Sequence, residues 1–243
     1  LRHCLSCTSG LPSRVTGIMD IDMTMAECVG RIAALPLQEP PGTKLRYGGT
    51  GFQVGAHLAE LVTGRTWYEL FAERVKDPLD LAQTEFGLAS EEDGRALGFG
   101  GGNKLRVDGS RTRNPWVAGT AVSSMRDYGR LVQMLAAGGI YDGRRIVSAA
   151  MVAEMFREQT TGMEIGFSAY ADDPTIRYGL GTWIERRDTA GGSLAVSDGG
   201  AFGWMPFVEF DSGISGVFAV KDRLRNVLAS IDQFRELARS QAR

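Results

Sequence analysis

The last third of the chain carries the pattern that most limits its fold. The runs "IRYGLGTWIERR", "SLAVS", "MPFVEF" and "GISGVFAVK" are rich in aromatic and β-branched residues, and glycine-bearing turns bound them. Asp211-Ser212-Gly213 is a hairpin turn between the last two. From about Leu224 to Arg239 the apolar residues Val227, Leu228, Ile231, Phe234, Leu237 and Ala238 predict a closing helix. Helices come first, then antiparallel strands, then one terminal helix. That segregation predicts an α+β fold, with an antiparallel sheet covered by helices beside a helical region. The expected organisation is a single domain over 1–243, mainly helical over 1–160, with antiparallel strands and the C-terminal helix over 161–243.

The helical part is punctuated clearly. Ser9-Gly10-Leu11-Pro12 is a turn. Thr24-Met25-Ala26-Glu27 is a capping box, and Cys28, Ile32 and Leu35 follow at helical spacing. Pro36, Pro40, Pro41 and Gly42 break that helix. Residues 50–63 form the next one. Its apolar residues cover most of the circumference, and Gln53, His57 and Glu60 leave a thin polar stripe, so it is expected to be buried. His57 then reads as a satisfied stripe residue rather than a ligand. Gly64 stops this helix, and Thr66 caps a short one through about Val75. Ser124 opens a helix that Gly138-Gly139 ends, and Ser148 caps another through Phe156.

Residues 87–115 read as a loop. The stretch "GFGGGNK" lacks the spacing and the Lys-Ser/Thr pair of a phosphate loop. Arg106, Arg111 and Arg113 are a solvated loop face. A net charge of −2 gives no nucleic-acid footprint. No run of about 18 apolar residues exists to span a membrane. Cys4, Cys7 and Cys28 are too few for a disulfide framework, and no second pair completes a zinc site around Cys4-x-x-Cys7. They read as packing residues. No metal or cofactor is expected. The compartment and the oligomeric state are left open.

Two glycine-rich corners carry the chemistry. In "KLRYGGTGFQVGAHLAELVTG" a short lead-in ends at Tyr47, two glycines follow, and a helix starts at once. In "SLAVSDGGAFGWMPFVEF" a strand reaches Ser197-Asp198-Gly199-Gly200-Ala201 and another leaves. Glycines there let a backbone N–H approach a bound group, which is how main chain builds an oxyanion hole.

Together with "LRHCLSCTSGLP" and "AGTAVSSMRDYGRLVQMLAAGG", these stretches resemble the serine β-lactamase and penicillin-binding-protein-like hydrolases, in their class C and family VIII esterase branch. The resemblance covers nearly the whole chain, in order. It implies a β-lactamase/transpeptidase-like fold and a small-molecule ester, amide or β-lactam as substrate. It also implies an acyl-enzyme on a Ser-x-x-Lys serine, a Tyr-x-Asn corner that moves protons, and a Lys-Thr-Gly or His-x-Gly strand at the pocket edge. By motif, Tyr47 is the family tyrosine. Gly49 stands where asparagine is usual, and Ser197-Asp198-Gly199 lies at the third motif with no Lys or His. The oxyanion donor is then the amide of Gly200 or of Ala201.

The nucleophile is missing from the residues given. Three residues before Lys44, Lys76, Lys104 and Lys221 stand Pro41, Glu73, Gly101 and Phe218, so no Ser-x-x-Lys exists. Leu1 to Leu5 reads like the last turn of a helix already under way. The expectation is a fragment that begins after the motif and is inactive alone. A catalytically inactive binding or scaffold protein, favoured by Gly49 and Asp198, and an unrelated α+β binding domain are the alternatives.

Overall fold

A computed structural model of the chain describes residues 1–18, 20, 22–86, 111–170 and 173–242. The "GFGGGNK" stretch and Arg106 lie outside the described residues. In chain order the elements are α1 (Arg2–Leu5), α2 (Met25–Ala33), β1 (Lys44–Arg46), α3 (Thr50–Thr63) and α4 (Trp67–Phe71), which runs into a π-helical turn, Ala72–Lys76. Then come β2 (Glu85–Phe86), β3 (Ala121–Val122), α5 (Met125–Ala136), β4 (Ile140–Tyr141), β5 (Arg144–Arg145), α6 (Ala149–Phe156) and β6 (Glu164–Phe167). The chain closes with β7 (Arg177–Tyr178), β8 (Trp183–Arg187), β9 (Ser193–Ser197), β10 (Trp204–Glu209), β11 (Ile214–Ala219) and α7 (Leu224–Gln241). This is the expected mixed fold, with helices and antiparallel strands segregated along the chain.

The contacts divide it into two compact units. One holds Leu1–Pro78, Ala82–Ser123 and Thr160–Pro174, and the other holds Leu79–Leu81, Ser124–Gln159 and Thr175–Arg243. In the first unit the capping boxes at Thr24 and Thr66 form as their sequences dictate, each threonine bonded to the N3 amide of its glutamate. Ile18, Met23, Cys28 and Ile32 make a core cluster, with Leu11, Val15, Val54 and Trp116 against it. β1 pairs in parallel with β6, Leu45 opposite Ile165.

α3 departs from its expected burial. Gln53 on the polar stripe is fully buried, whereas Leu61 and Val62 are 67% and 78% exposed. The reason is a hydrogen-bond anchor. The Gln53 side chain donates to Asn114 Oδ1 at 2.9 Å and to the Pro115 carbonyl at 3.1 Å, and accepts from the Val117 amide at 3.1 Å. A buried amide with all these partners is stable, and it turns the helix toward the loop. His57 behaves as expected, with Nδ1 3.1 Å from Glu60 Oε2. Cys7 and Cys28 are buried, and Cys28 Sγ donates to the Ile18 carbonyl.

The second unit is built on a five-stranded antiparallel meander in the order β11-β10-β9-β8-β7. Alternation along these strands gives two faces. Ile184, Val196 and Val208 meet Val132 of α5 with Val152 and Phe156 of α6 on one face. Phe207 and Phe218 meet Phe234 of α7 on the other. Each such aliphatic side chain stabilises by about 1.5–3 kcal/mol when buried. Gly213, at φ 69°, makes the hairpin turn between β10 and β11, where a left-handed residue is needed.

Candidate active site

Tyr47 follows β1 directly and is half-buried. Its amide donates to the Phe167 carbonyl at 3.0 Å, so the β1–β6 pairing fixes where the tyrosine leaves the strand. The glycines after it answer to space. A Cβ at Gly48 would lie 2.6 Å from the Ser13 carbonyl oxygen, and one at Gly49 would lie 2.5 Å from Trp116 Cζ2. Gly49 has φ −86°, which any residue adopts, so the indole and not the backbone excludes a side chain. The position where the resemblance implies asparagine is therefore closed off by Trp116. Thr50 then anchors the helix start, its hydroxyl donating to the Pro12 carbonyl at 2.8 Å.

The second corner belongs to the other unit. Ser197 ends β9 and points to the α7 face, where its hydroxyl donates to Glu185 Oε1 at 2.6 Å. That face holds a buried ion network. Arg235 of α7 reaches Glu185 Oε2 at 2.7 Å and Glu209 Oε1 at 2.8 Å, with its guanidinium stacked over Phe207. Burial pushes the Glu209 carboxyl up, but the hydrogen bonds from Arg239 and Arg235 hold it below the usual carboxylate range. Arg235 and Arg239 are one turn apart on α7, so both reach the same carboxylate.

Asp198, the next residue, turns to the α5 face. Its amide donates to the Pro206 carbonyl at 3.3 Å. Its side-chain Oδ1 is buried with no hydrogen-bond partner among the described residues. Burial pushes the carboxyl up to about 7. The Tyr128 phenol of α5 is raised above its ordinary value, first by burial and then by the Asp198 charge. Tyr128 packs edge to face against Trp204, with ring centroids 5.7 Å apart.

The glycines of this corner shape the turn. The Gly200 amide donates to the Trp204 carbonyl at 2.7 Å, and Gly203 donates back to Gly200 at 3.1 Å. Gly203 has φ 94°, and a Cβ there would lie 2.5 Å from the Val220 carbonyl oxygen, so only glycine fits. The Ala201 carbonyl accepts from Leu224 at the head of α7. The Ala201 amide has no acceptor among the described residues, and the residue is exposed. Of the two amides expected as the oxyanion donor, Gly200's is engaged and Ala201's is not.

Tyr47 and Gly49 thus sit in one unit and Ser197, Asp198, Gly199, Gly200 and Ala201 in the other. Tyr128 and Trp204 join the second group and were not singled out by sequence. Trp204 stands inside the glycine-rich stretch. Tyr128 shares helical spacing with Val132 and Leu135, which reads as plain packing. Among the described residues no group of three or more His, Cys, Asp and Glu side chains could hold a metal ion. No described helix is long and apolar enough to cross a membrane.

Comparison with known proteins adds the following. A family model described as Beta-lactamase matches residues 1–237. A lovastatin esterase of Penicillium rubens is 28% identical over 218 residues, which cover 76% of this chain and 52% of that protein. Among solved structures, a candidate beta-lactamase from Bacteroides dorei DSM 17855 superposes with TM-score 0.74 at 25% identity, covering 92% of this chain and 64% of that one. A family VIII carboxylesterase gives TM-score 0.67 at 20% identity, covering 91% of this chain and 65% of that one. The chain thus spans about half the length of the curated relative and just under two thirds of these two structures.

Proposed function

Because the chain belongs to the beta-lactamase family, we propose that it contributes the Tyr47 corner and the Ser197–Ala201 turn to a serine hydrolase that cleaves small esters, amides or β-lactams through an acyl-enzyme. The observation that carries this reading is the turn after β9. It leaves the amide of the exposed residue Ala201 without an acceptor among the described residues, while the Gly200 amide is held by Trp204. An N–H so presented is what a developing oxyanion requires. The reading takes both units as parts of one beta-lactamase-like domain.

No Ser-x-x-Lys stands in the 243 residues, so this reading requires a serine and a lysine from outside them. The chemistry then runs as follows. A phenol titrates at about 10, and a neighbouring ammonium lowers that value. Tyr47 and the lysine take the serine proton as the serine oxygen bonds to the carbonyl carbon. Ala201 donates to the oxyanion, and Tyr47 returns the proton to the leaving group. Water then attacks the acyl-serine by the same route and restores the serine hydroxyl. When ionised, Asp198 beside the turn disfavours the carboxylate of a β-lactam, since like charges repel, so esters are the favoured substrates.

A non-catalytic binding protein is the second reading, favoured by the closing of position 49 by Trp116. The test is treatment of the protein with its upstream sequence, and of residues 1–243 alone, with a fluorophosphonate probe. A short-chain nitrophenyl ester and a chromogenic cephalosporin are compared alongside. Labelling of one serine in the longer chain only, with faster ester turnover, is expected. No labelling of the longer chain establishes the second reading, and labelling of residues 1–243 alone refutes the upstream nucleophile. Faster cephalosporin turnover refutes the ester preference.

A further inference from the structure

The reaction above gives Asp198 no role beyond repelling anions, yet its surroundings are specific. The carboxyl leaves β9 on the α5 face with Oδ1 buried and unpartnered among the described residues. An acceptor left in that state is costly unless something donates to it. The groups near it are aromatic: none donates to this oxygen among the described residues, and their ring faces can attract a cation. Tyr128 feels the Asp198 charge directly, and Trp204 packs edge to face on Tyr128. Trp204 is also tied by its main chain to Gly200, two residues past Asp198, by a 2.7 Å hydrogen bond and a β-bridge. α5, the end of β9 and the start of β10 thus bring the phenol within reach of the Asp198 charge and the indole against the phenol.

We propose that Asp198, Tyr128 and Trp204 form a subsite for an ammonium group, so that the preferred substrates are esters or amides bearing a free amine. A primary ammonium supplies up to three N–H donors, enough to satisfy the orphaned oxygen, and aromatic rings attract it through their electron-rich faces. The displaced proton fits the same picture. Burial alone holds the Asp198 carboxyl at about 7, and a bound cation favours its ionised form. The substrate assignment rests on the reading of the glycine turn as a pocket edge, whereas the ammonium subsite stands on the second unit alone.

Two measurements separate these. In the first, propylammonium and its neutral isostere 1-propanol are titrated into the protein, and NMR shifts are followed at the Trp204 indole and the Gly200 amide. The ammonium is expected to bind at least tenfold more tightly than the alcohol, and Asp198→Asn should level the two. Tyr128→Phe should keep the preference, because the ring is retained. Equal response to both probes in the wild-type protein, or none at these signals, overturns the subsite without reliance on any variant. In the second, the protein with its upstream sequence is given the nitrophenyl esters of alanine and of N-acetylalanine. A kcat/KM ratio of at least ten in favour of the free amine is expected, falling to about one in Asp198→Asn. Turnover of both esters at equal rates leaves the hydrolase standing and removes the substrate assignment. Ammonium binding with no turnover of either ester does the reverse.

Discussion

The Tyr47 corner and the Ser197–Gly203 corner are both glycine-rich, and their glycines are there for opposite reasons. At the first, Gly48 and Gly49 give up side chains because Ser13 and Trp116 already occupy the space, and the backbone itself is ordinary. At the second, Gly203 is required by a positive φ as well as by the Val220 carbonyl, while Gly200 has only ordinary contact, 3.5 Å, with Trp204. The first corner is closed around a fixed tyrosine. Among the described residues, the second leaves an amide unclaimed at Ala201 and a carboxylate oxygen unpartnered at Asp198. A closed corner suits a group that must hold its position through a reaction. A corner with unmet donors and acceptors suits a group that binds something from outside.

The largest stability effect that would sharpen this contrast comes from Asp198. Its folded value of about 7 lies above the ordinary 3.8, so between those values the folded chain keeps a proton that the unfolded chain has lost. Stability therefore falls as pH rises from about 4 to about 7 and is level on either side, by up to about 4 kcal/mol. Denaturant unfolding across that window should show the fall in the difference curve, wild type minus Asp198→Asn, in which the other carboxylates cancel. A difference curve that rises over the same window would mean that the carboxylate has a partner and that the corner is closed like the first.

Next in size is the family residue restored at the first corner. Gly49→Asn places a Cβ 2.5 Å from the Trp116 ring. Overpacking of this kind costs about 1–3 kcal/mol, read as a lower denaturant midpoint with an unchanged slope. The smallest effect is at the second corner. Gly200→Ala meets only a 3.5 Å contact and should stay within about 0.5 kcal/mol of wild type. If the two substitutions exchange rank, the distinction between a filled corner and an open one fails.

Much of this was readable in the sequence, and the exceptions share a cause. Capping boxes at Thr24 and Thr66, the Gly64 stop and the strands from Trp183 to Ala219 are local signals, and they appear where the spacing puts them. What escaped depends on partners far along the chain. Gln53 reads as a surface stripe until Asn114, Pro115 and Val117 supply its hydrogen bonds from more than 60 residues away. The β1–β6 pair joins segments whose local patterns announce no partnership, since parallel register is set by the whole unit. Glu209 and Glu185 look like outward strand residues until Arg235 and Arg239 arrive from α7. At the candidate site the tyrosine and the glycine turn were legible as motifs. Which amide remains unengaged, and which aromatic rings accompany Asp198, are matters of three-dimensional placement.

The central claim is that the closed corner holds a proton carrier and not a packing tyrosine. The direct measurement is kcat for a nitrophenyl ester in the protein with its upstream sequence, compared between wild type and Tyr47→Phe, with both shown to be folded. The account predicts a fall of about 10²–10⁴, the usual worth of a general acid–base group, because the phenyl ring keeps the packing and loses only the hydroxyl. A fall of less than about threefold would contradict it, since a group worth so little does not carry the proton.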